Sequence, residues 1–320
     1  MKKILIIKPT ALGDVAQMCL IAPAIKAIHP EWHVSWIVDE DFTDVVRLCD
    51  GIDEIISFPR KNWRQRSPLS EIFSWFRQLI EKKFDVTLDL QGLARTALMS
   101  AVACAERRIG LASAREFSHL AYNEIVQDRA PHAVDRYRQA VAQLVGKTIS
   151  ETYRLRLPPV AENIGLLSQK YIVLHPYSLW ETKLWPWDHY TTLTSSLPQE
   201  TFVLVGRGEF FPCSGANIID VRNQTSLSEL LSILAHAKAV VSTDSGPAHL
   251  SAALGRPVVS LFGASDPQKT APRSPQSVAL FKKISCQPCV KRICRHSNVM
   301  ECVKKITVED ARNALVKIIE

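Results

Sequence analysis

Several features are missing from this chain of 320 residues, and each absence excludes a class of function. No stretch approaches the roughly 18 uninterrupted apolar residues that a membrane-crossing helix needs. The start, MKKILIIKPTALGD, sets Lys2 and Lys3 before an apolar run as a secretory leader would, but Lys8-Pro9 ends that run after four residues. It reads instead as a first buried strand, which points to a cytoplasmic protein. Helix-turn-helix, RNA-binding and zinc-finger patterns are lacking, so nucleic acid is not the expected partner. No short repeat is visible, which removes solenoids and propellers. A dinucleotide fingerprint would place three glycines after the first strand, where Gly13 stands alone, and this disfavours a dehydrogenase.

What is present is a globular composition, 47% hydrophobic and 22% charged, long enough for two domains with substantial cores. The formal net charge of +7 suggests an anionic partner. Much of that charge lies in Arg60-Lys61-Asn62-Trp63-Arg64-Gln65-Arg66. The run can be read as a solvated loop or as an ordered surface that meets phosphates; Trp63 and Pro68 favour the second reading.

Apolar β-rich runs alternate with helical periods in both halves. Lys3–Ile7, His33–Val38, Glu54–Phe58 and Phe84–Leu88 are expected strands, with helices over Val15–Ile28, Ser70–Lys82, Leu93–Ala103 and Ala133–Val145. Leu155-Arg156-Leu157-Pro158-Pro159 reads as an extended connector. The pattern then restarts, with strands at Tyr171–Leu174, Phe202–Val205, Ile218–Val221, Ala239–Val241 and Val258–Phe262. This predicts an α/β chain of two doubly wound parallel sheets, residues 1–157 and 158–320, facing a cleft. Ligands in such sheets bind beyond the carboxyl ends of the strands.

Three strand ends carry chemistry. In Lys238–Pro267, KAVVSTDSGPAHLSAALGRPVVSLFGASDP, a strand leads through hydroxyls and Gly246-Pro247 into a helix start, a natural seat for a phosphate or diphosphate. Asp244 in that turn would repel phosphate and suits a sugar hydroxyl or the backbone. An ordinary helix cap is the other reading. Asp14 after the first strand is either a dipole-complementing cap or a general base. Lys183, just before Trp185-Pro186, opposes the local helix dipole, which makes sense with an anion between them; a solvent-facing lysine is the alternative.

Together KPTALGD, LDLQGLARTAL at 88–98, KLWPWDHY at 183–190 and the Lys238–Pro267 segment resemble the bacterial ADP-heptose:lipopolysaccharide heptosyltransferases of glycosyltransferase family 9. HPEWHVSWIVDEDF, ASAREFSHLAYN and HAVDRYRQ are similar to the branch that adds the first heptose, and the likeness spans nearly the entire chain. The resemblance implies a GT-B fold of two Rossmann-like domains, the acceptor on the N-terminal one and the nucleotide sugar on the C-terminal one. It implies inverting, metal-independent transfer of heptose from ADP-heptose to the Kdo-lipid A inner core, with no cofactor required for catalysis.

Asp14 then matches the base, and Lys183 the donor-phosphate lysine. Ser245 and Gly246 match the phosphate-holding turn, Asp244 the heptose-contacting carboxylate, and His249 a supporting position, though an ordinary core histidine is the other reading. Ser178 falls near the family's hydroxyl pair, Glu209 resembles the ribose-binding glutamate, and Thr225 stands where first-heptose enzymes carry methionine near the adenine. Arg60, Lys61 and Arg64 resemble the basic loop that meets the anionic inner core, and Arg115 and His132 match further acceptor-side positions. Peripheral attachment to the inner-membrane surface follows as an expectation. The last helix, roughly Val308 to Ile319, is expected to pack back onto the first domain. The alternatives are a family relative using another nucleotide sugar or acceptor, and a non-catalytic nucleotide-binding partner in envelope assembly.

Cys286, Cys289, Cys294 and Cys302 crowd within 17 residues. They are open to three readings: a structural zinc or iron site, reduced thiols without metal, or a redox role. His296 could replace one thiolate. Disulfides do not suit a cytoplasmic protein. Cys19, Cys49, Cys104 and Cys213 read as small apolar fillers.

Overall fold

The described residues of this computed structural model are 1–64, 68–160, 170–209, 213 and 215–320; the side chain of Arg64 lies outside them. The chain divides into two compact units, Met1–Arg156 and Leu157–Glu320.

Short apolar runs build the first unit's sheet: β1 (Lys3–Ile7), β2 (His33–Asp39), β3 (Glu54–Phe58), β4 (Val86–Asp89), β5 (Arg107–Leu111) and β6 (Glu124–Val126). All neighbours are parallel, in the order β3-β2-β1-β4-β5-β6. Ile4 to Ile7 of β1 and all of β4 are buried, as central strands with both faces covered should be. The second unit repeats the plan with β7 (Tyr171–His175), β8 (Thr201–Leu204), β9 (Ile218–Asp220), β10 (Ala239–Thr243), β11 (Val258–Phe262) and β12 (Ser277–Phe281), ordered β12-β11-β10-β7-β8-β9. The expected pair of doubly wound parallel sheets is therefore what the chain forms.

The order reverses between β1 and β4 in one sheet and between β7 and β10 in the other. At such a switch point the connections leave in opposite directions, so a crevice opens beyond the carboxyl ends of the two central strands.

Three strands, β5, β6 and β12, were not expected, and the helix anticipated over Val15–Ile28 is two helices, Leu12–Cys19 and Pro23–Ile28. Pro23 opens the second because proline cannot continue a preceding helix but suits a first turn. The described part of the basic run, Arg60–Arg64, is a short helix, anchored by Trp63, whose ring meets Phe58 and Trp75 edge-on at 5.0 and 5.5 Å. Among the scattered cysteines, Cys19, Cys49 and Cys213 are buried fillers, but Cys104 is exposed. It follows the helix Ala94–Val102 at a positive φ of 51°, where the chain turns outward.

The last helix, Val308–Ile319, packs Ala311 and Leu315 into the second unit. Thr307 and Asp310 cap it reciprocally, and Ala311 and Leu315 enter the core that holds Trp185, Val259 and Leu261. Leu315→Ala should therefore cost about 2–5 kcal/mol, the range for emptying a buried leucine site. Denaturant unfolding followed by tryptophan fluorescence should show the loss in the transition of the second unit and leave that of the first unmoved.

Candidate functional site

In the first unit the chemistry gathers beyond β1. Asp14 sits in the first turn of the helix Leu12–Cys19, where its carboxylate accepts from the Ala11 backbone N–H at 3.2 Å. The capping role is thus real, but the same carboxylate has two further partners. Lys8 Nζ lies 3.3 Å from Oδ2, and the Tyr137 hydroxyl donates to Oδ1 at 3.3 Å. Lys8 is buried and stands 5.3 Å from the centre of the Tyr137 ring, whereas Asp14 remains partly exposed. Burial, and then the charge of Asp14, hold the Tyr137 hydroxyl well above its ordinary pKa, so it stays a donor. Lys8 and Tyr137 were missed in the sequence: Lys8 read only as the end of an apolar run, and Tyr137 arrives from 123 residues away.

Across the switch point, Gln91 Oε1 accepts from the Thr10 N–H at 3.2 Å. Asp89 closes β4 beneath it, accepting from the N–H groups of Gln91 and Gly92 and from Tyr122. Asp39, at the end of β2, ties the basic helix to the same edge. Its N–H donates to the Pro9 carbonyl at 3.2 Å, and its carboxylate lies 3.6 Å from Arg60. Arg60 Nε is buried without a hydrogen-bond partner among the described residues, and Lys61 pairs with Asp41 at 2.7 Å. Arg115 is exposed, and its N–H donates to the Gly92 carbonyl. His132 is buried, its Nδ1 capping the helix Ala133–Val145 through the Val134 N–H, so it positions the helix that carries Tyr137. The side chain of Arg64 lies outside the described residues.

The second unit assembles its groups at the β7/β10 switch point. Lys183, in a short 3-10 turn before the helix Trp187–Ser195, places Nζ 2.6 Å from Asp244 Oδ2 and 3.3 Å from the Asp244 carbonyl. It also stands 4.8 Å over the Trp180 ring. Ser265 donates to the same Asp244 oxygen. Both members of the pair are largely buried, so water screens their attraction little, while removing the charges from water carries its own cost. The helix Gly246–Ala253 begins next to it. Ser245 does not cap that helix; its hydroxyl turns to His175 Nδ1 at 3.2 Å and to the Thr243 carbonyl. The first-turn N–H groups of the helix accordingly face the crevice without a side-chain acceptor from Ser245. His249 is buried in the same helix.

Ser178 accepts from the Trp180 N–H at 3.2 Å and shapes the loop after β7. Tyr177 supports the neighbouring turn: its hydroxyl donates to the Glu209 carbonyl at 2.9 Å, while its ring lies against Gly206 and Gly208. Gly206 has φ of +121°, and a Cβ there would sit 2.4 Å from the ring, so no other residue fits. Glu209 is left exposed; Thr225 is buried, with its carbonyl accepting from Arg207 at 3.0 Å. His175 reads from sequence only as a strand end, yet its Nδ1 lies 3.3 and 3.2 Å from the hydroxyls of Ser242 and Ser245.

The C-terminal thiols are all free. Cys302 is buried, and Cys286, Cys289 and Cys294 lie close enough for their charges to raise its pKa, after burial as the larger cause. The Met300 N–H donates to Cys294 Sγ at 3.3 Å. Among the described residues, however, no three His, Cys, Asp or Glu side chains are placed to hold a metal ion. Also among the described residues, no helix is long and apolar enough to cross a membrane.

Comparison with known proteins gives a consistent result. The family model for glycosyltransferase family 9 (heptosyltransferase) matches residues 72–300. Lipopolysaccharide heptosyltransferase 1 of Pseudomonas aeruginosa is 28% identical over 93% of this chain and 89% of its own. The enzyme of the same name from Salmonella typhimurium is 28% identical over 83% of this chain and 89% of its own. Among solved structures, the E. coli heptosyltransferase WaaC with ADP superposes with a TM-score of 0.79 at 22% identity, covering 99% of each chain, so the fold is shared.

Burial lowers the pKa of His175 from 6.5 to about 4, so the folded chain holds it neutral. The unfolded chain takes up that proton below about pH 6.5, and the folded chain does so only near pH 4. Stability should therefore fall as pH drops through this window, by about 2 kcal/mol between pH 6.5 and 5. Urea unfolding at several pH values should show that slope, and His175→Gln should flatten it.

Proposed function

The chain belongs to glycosyltransferase family 9, and from that membership we propose that it transfers heptose from ADP-heptose to the inner core of lipopolysaccharide, on Kdo-lipid A. In this reading the reaction inverts the anomeric carbon and uses no metal. The observation that carries it is the Asp14 carboxylate, held at a switch point by Lys8 and Tyr137 while one side stays accessible. Inversion is a single in-line displacement. The acceptor oxygen forms its bond to the anomeric carbon as its proton passes to Asp14, and the bond from that carbon to the ADP oxygen breaks with its electron pair leaving on ADP. Lys183 and the helix start at Ser245-Gly246 are assigned to the pyrophosphate, where they would offset the charge that develops as ADP departs.

Asp244, released from Lys183 by the phosphates, would accept from heptose hydroxyls, with His249 supporting the turn. Ser178 joins the donor side, Glu209 is assigned to the ribose and Thr225 to the nucleobase. Arg60, Lys61, Arg64 and Arg115 would meet the anionic acceptor. His132 acts indirectly, by fixing the helix of Tyr137. The lipid-linked acceptor implies work at the cytoplasmic face of the inner membrane, attached peripherally.

We propose separately that the cysteine cluster is a structural zinc or iron site. In number and softness Cys286, Cys289, Cys294 and Cys302 suit either metal, but as placed they do not converge, and an ion would have to draw the exposed Cys286 inward. No step of the transfer depends on it. Elemental analysis of purified protein should find about one equivalent of metal, the value for a four-cysteine structural site; a metal-free preparation removes this part of the proposal.

Asp14→Asn should lower kcat by roughly 10²–10⁴-fold, the usual contribution of a general base, while ADP binds as before in calorimetry. Mass spectrometry of a heptose-less acceptor, showing one added heptose with the parent chain, supplies the readout. Full turnover in the variant would overturn the assignment.

A further inference from the structure

The helix Leu69–Glu81 carries more apolar surface than its own unit covers. Ile72, Trp75 and Leu79 occupy the sector that faces inward: Leu79 is buried in the core with Phe58 and Phe84, and the Trp75 indole donates to the Ser57 carbonyl at 2.9 Å. Leu69, Phe73, Phe76 and Ile80 follow at spacings of four, three and four, which places them on one narrow stripe beside that sector. Leu69, Phe73 and Ile80 are 71%, 70% and 48% exposed. Phe73, Phe76, Ile80 and Arg77 line a shallow hollow there. The adjoining helix Ala94–Val102 exposes Leu98, and the turn packed on that helix exposes Phe117 and Leu120.

Charge frames this surface. Between residues 60 and 83 the chain has seven basic residues and two acidic ones. Arg77 and Lys83 are exposed on and just after the helix itself. A second copy of this chain would set like charge against like, because a two-fold interface apposes a patch to itself. An apolar stripe with a cationic border instead matches a surface that is hydrocarbon below and anionic above.

We propose that the helix Leu69–Glu81 is the element that seats the protein on an anionic lipid bilayer, with Leu69, Phe73 and Ile80 entering the acyl boundary and the flanking arginines and lysines meeting headgroup phosphates. The inference rests on the reading that the acceptor is lipid-linked, and it names the surface that reaches it. None of the three apolar residues belongs to the proposed catalytic or binding groups.

The test uses the full chain and two sets of vesicles, phosphatidylcholine alone and phosphatidylcholine with phosphatidylglycerol, in a flotation assay. The parent should float with the anionic vesicles and not with the neutral ones. Phe73→Ser/Ile80→Ser should lower that binding at least about tenfold, since two apolar anchors are lost, with an unchanged melting temperature and unchanged turnover on a water-soluble, deacylated acceptor. Leu69→Ser, made alone, should give a smaller loss in the same direction. The proposal is overturned if the double variant floats as well as the parent, if the parent floats with neither set, or if sedimentation without lipid shows a dimer that the variant dissolves. A chain that transferred no heptose yet floated through this face would sink the activity and leave the surface standing.

Discussion

A lysine closed onto a carboxylate, Lys183 on Asp244, is the contact on which the second unit's site depends. Taking two opposite charges out of water costs more than their attraction returns unless further hydrogen bonds complete the shell. Here Ser265 and the Asp244 carbonyl supply them. An apolar pair would fill the same space at less cost, so the charges are kept for what they can exchange. Under the proposed function a pyrophosphate would offer the lysine more negative charge than one carboxylate does, and would free Asp244 to accept from hydroxyls. The first unit repeats the theme with Lys8 on Asp14, completed by Tyr137 and the Ala11 N–H. There the carboxylate is the partly exposed member, which suits a group that must take a proton.

Sheet order explains why both pairs lie where they do. The two units wind in the same sense from a central strand, and each pair sits just past the carboxyl end of the first strand laid down, β1 or β7. Around β7 the floor is built to stay uncharged. His175 is neutral by burial, Ser242, Thr243 and Ser245 satisfy one another and nearby carbonyls, and Tyr177 presses on two glycines. In such a setting the charges of Lys183 and Asp244 act with little screening from water.

The pair of doubly wound sheets, and the turns that carry Asp14, Lys183 and Asp244, were legible because they rest on local signals: apolar runs, a glycine-proline helix start, a charge out of place before a helix. What escaped had no local signal. β5 begins Arg107-Arg108 and β6 is three residues long, so neither shows the apolar run that marks a central strand; their pairing is decided by β4. Lys8 looks like the end of a hydrophobic segment, and only the fold reveals that it is buried against a ring from another helix. His132 carries the pattern of a site residue, and only the fold reveals that its Nδ1 accepts from a helix N–H. Residue type and spacing name a group; partners assign its work.

The pairing of cation with carboxylate also grades the site by burial. Lys61 rests on Asp41 in the open, where water and salt screen the pair, whereas Arg60 stands 3.6 Å from a buried Asp39. The Lys61 contact would yield readily to another anion, as the acceptor-side role proposed for this helix requires. Lys183 is held at 2.6 Å in a largely buried pair and lets go only for a ligand that brings concentrated charge into the same crevice. The difference between the two pairs follows from one physical variable, the water left around them. Under the proposed function that asymmetry would let the first unit accept varied anions while the second admits one nucleotide sugar.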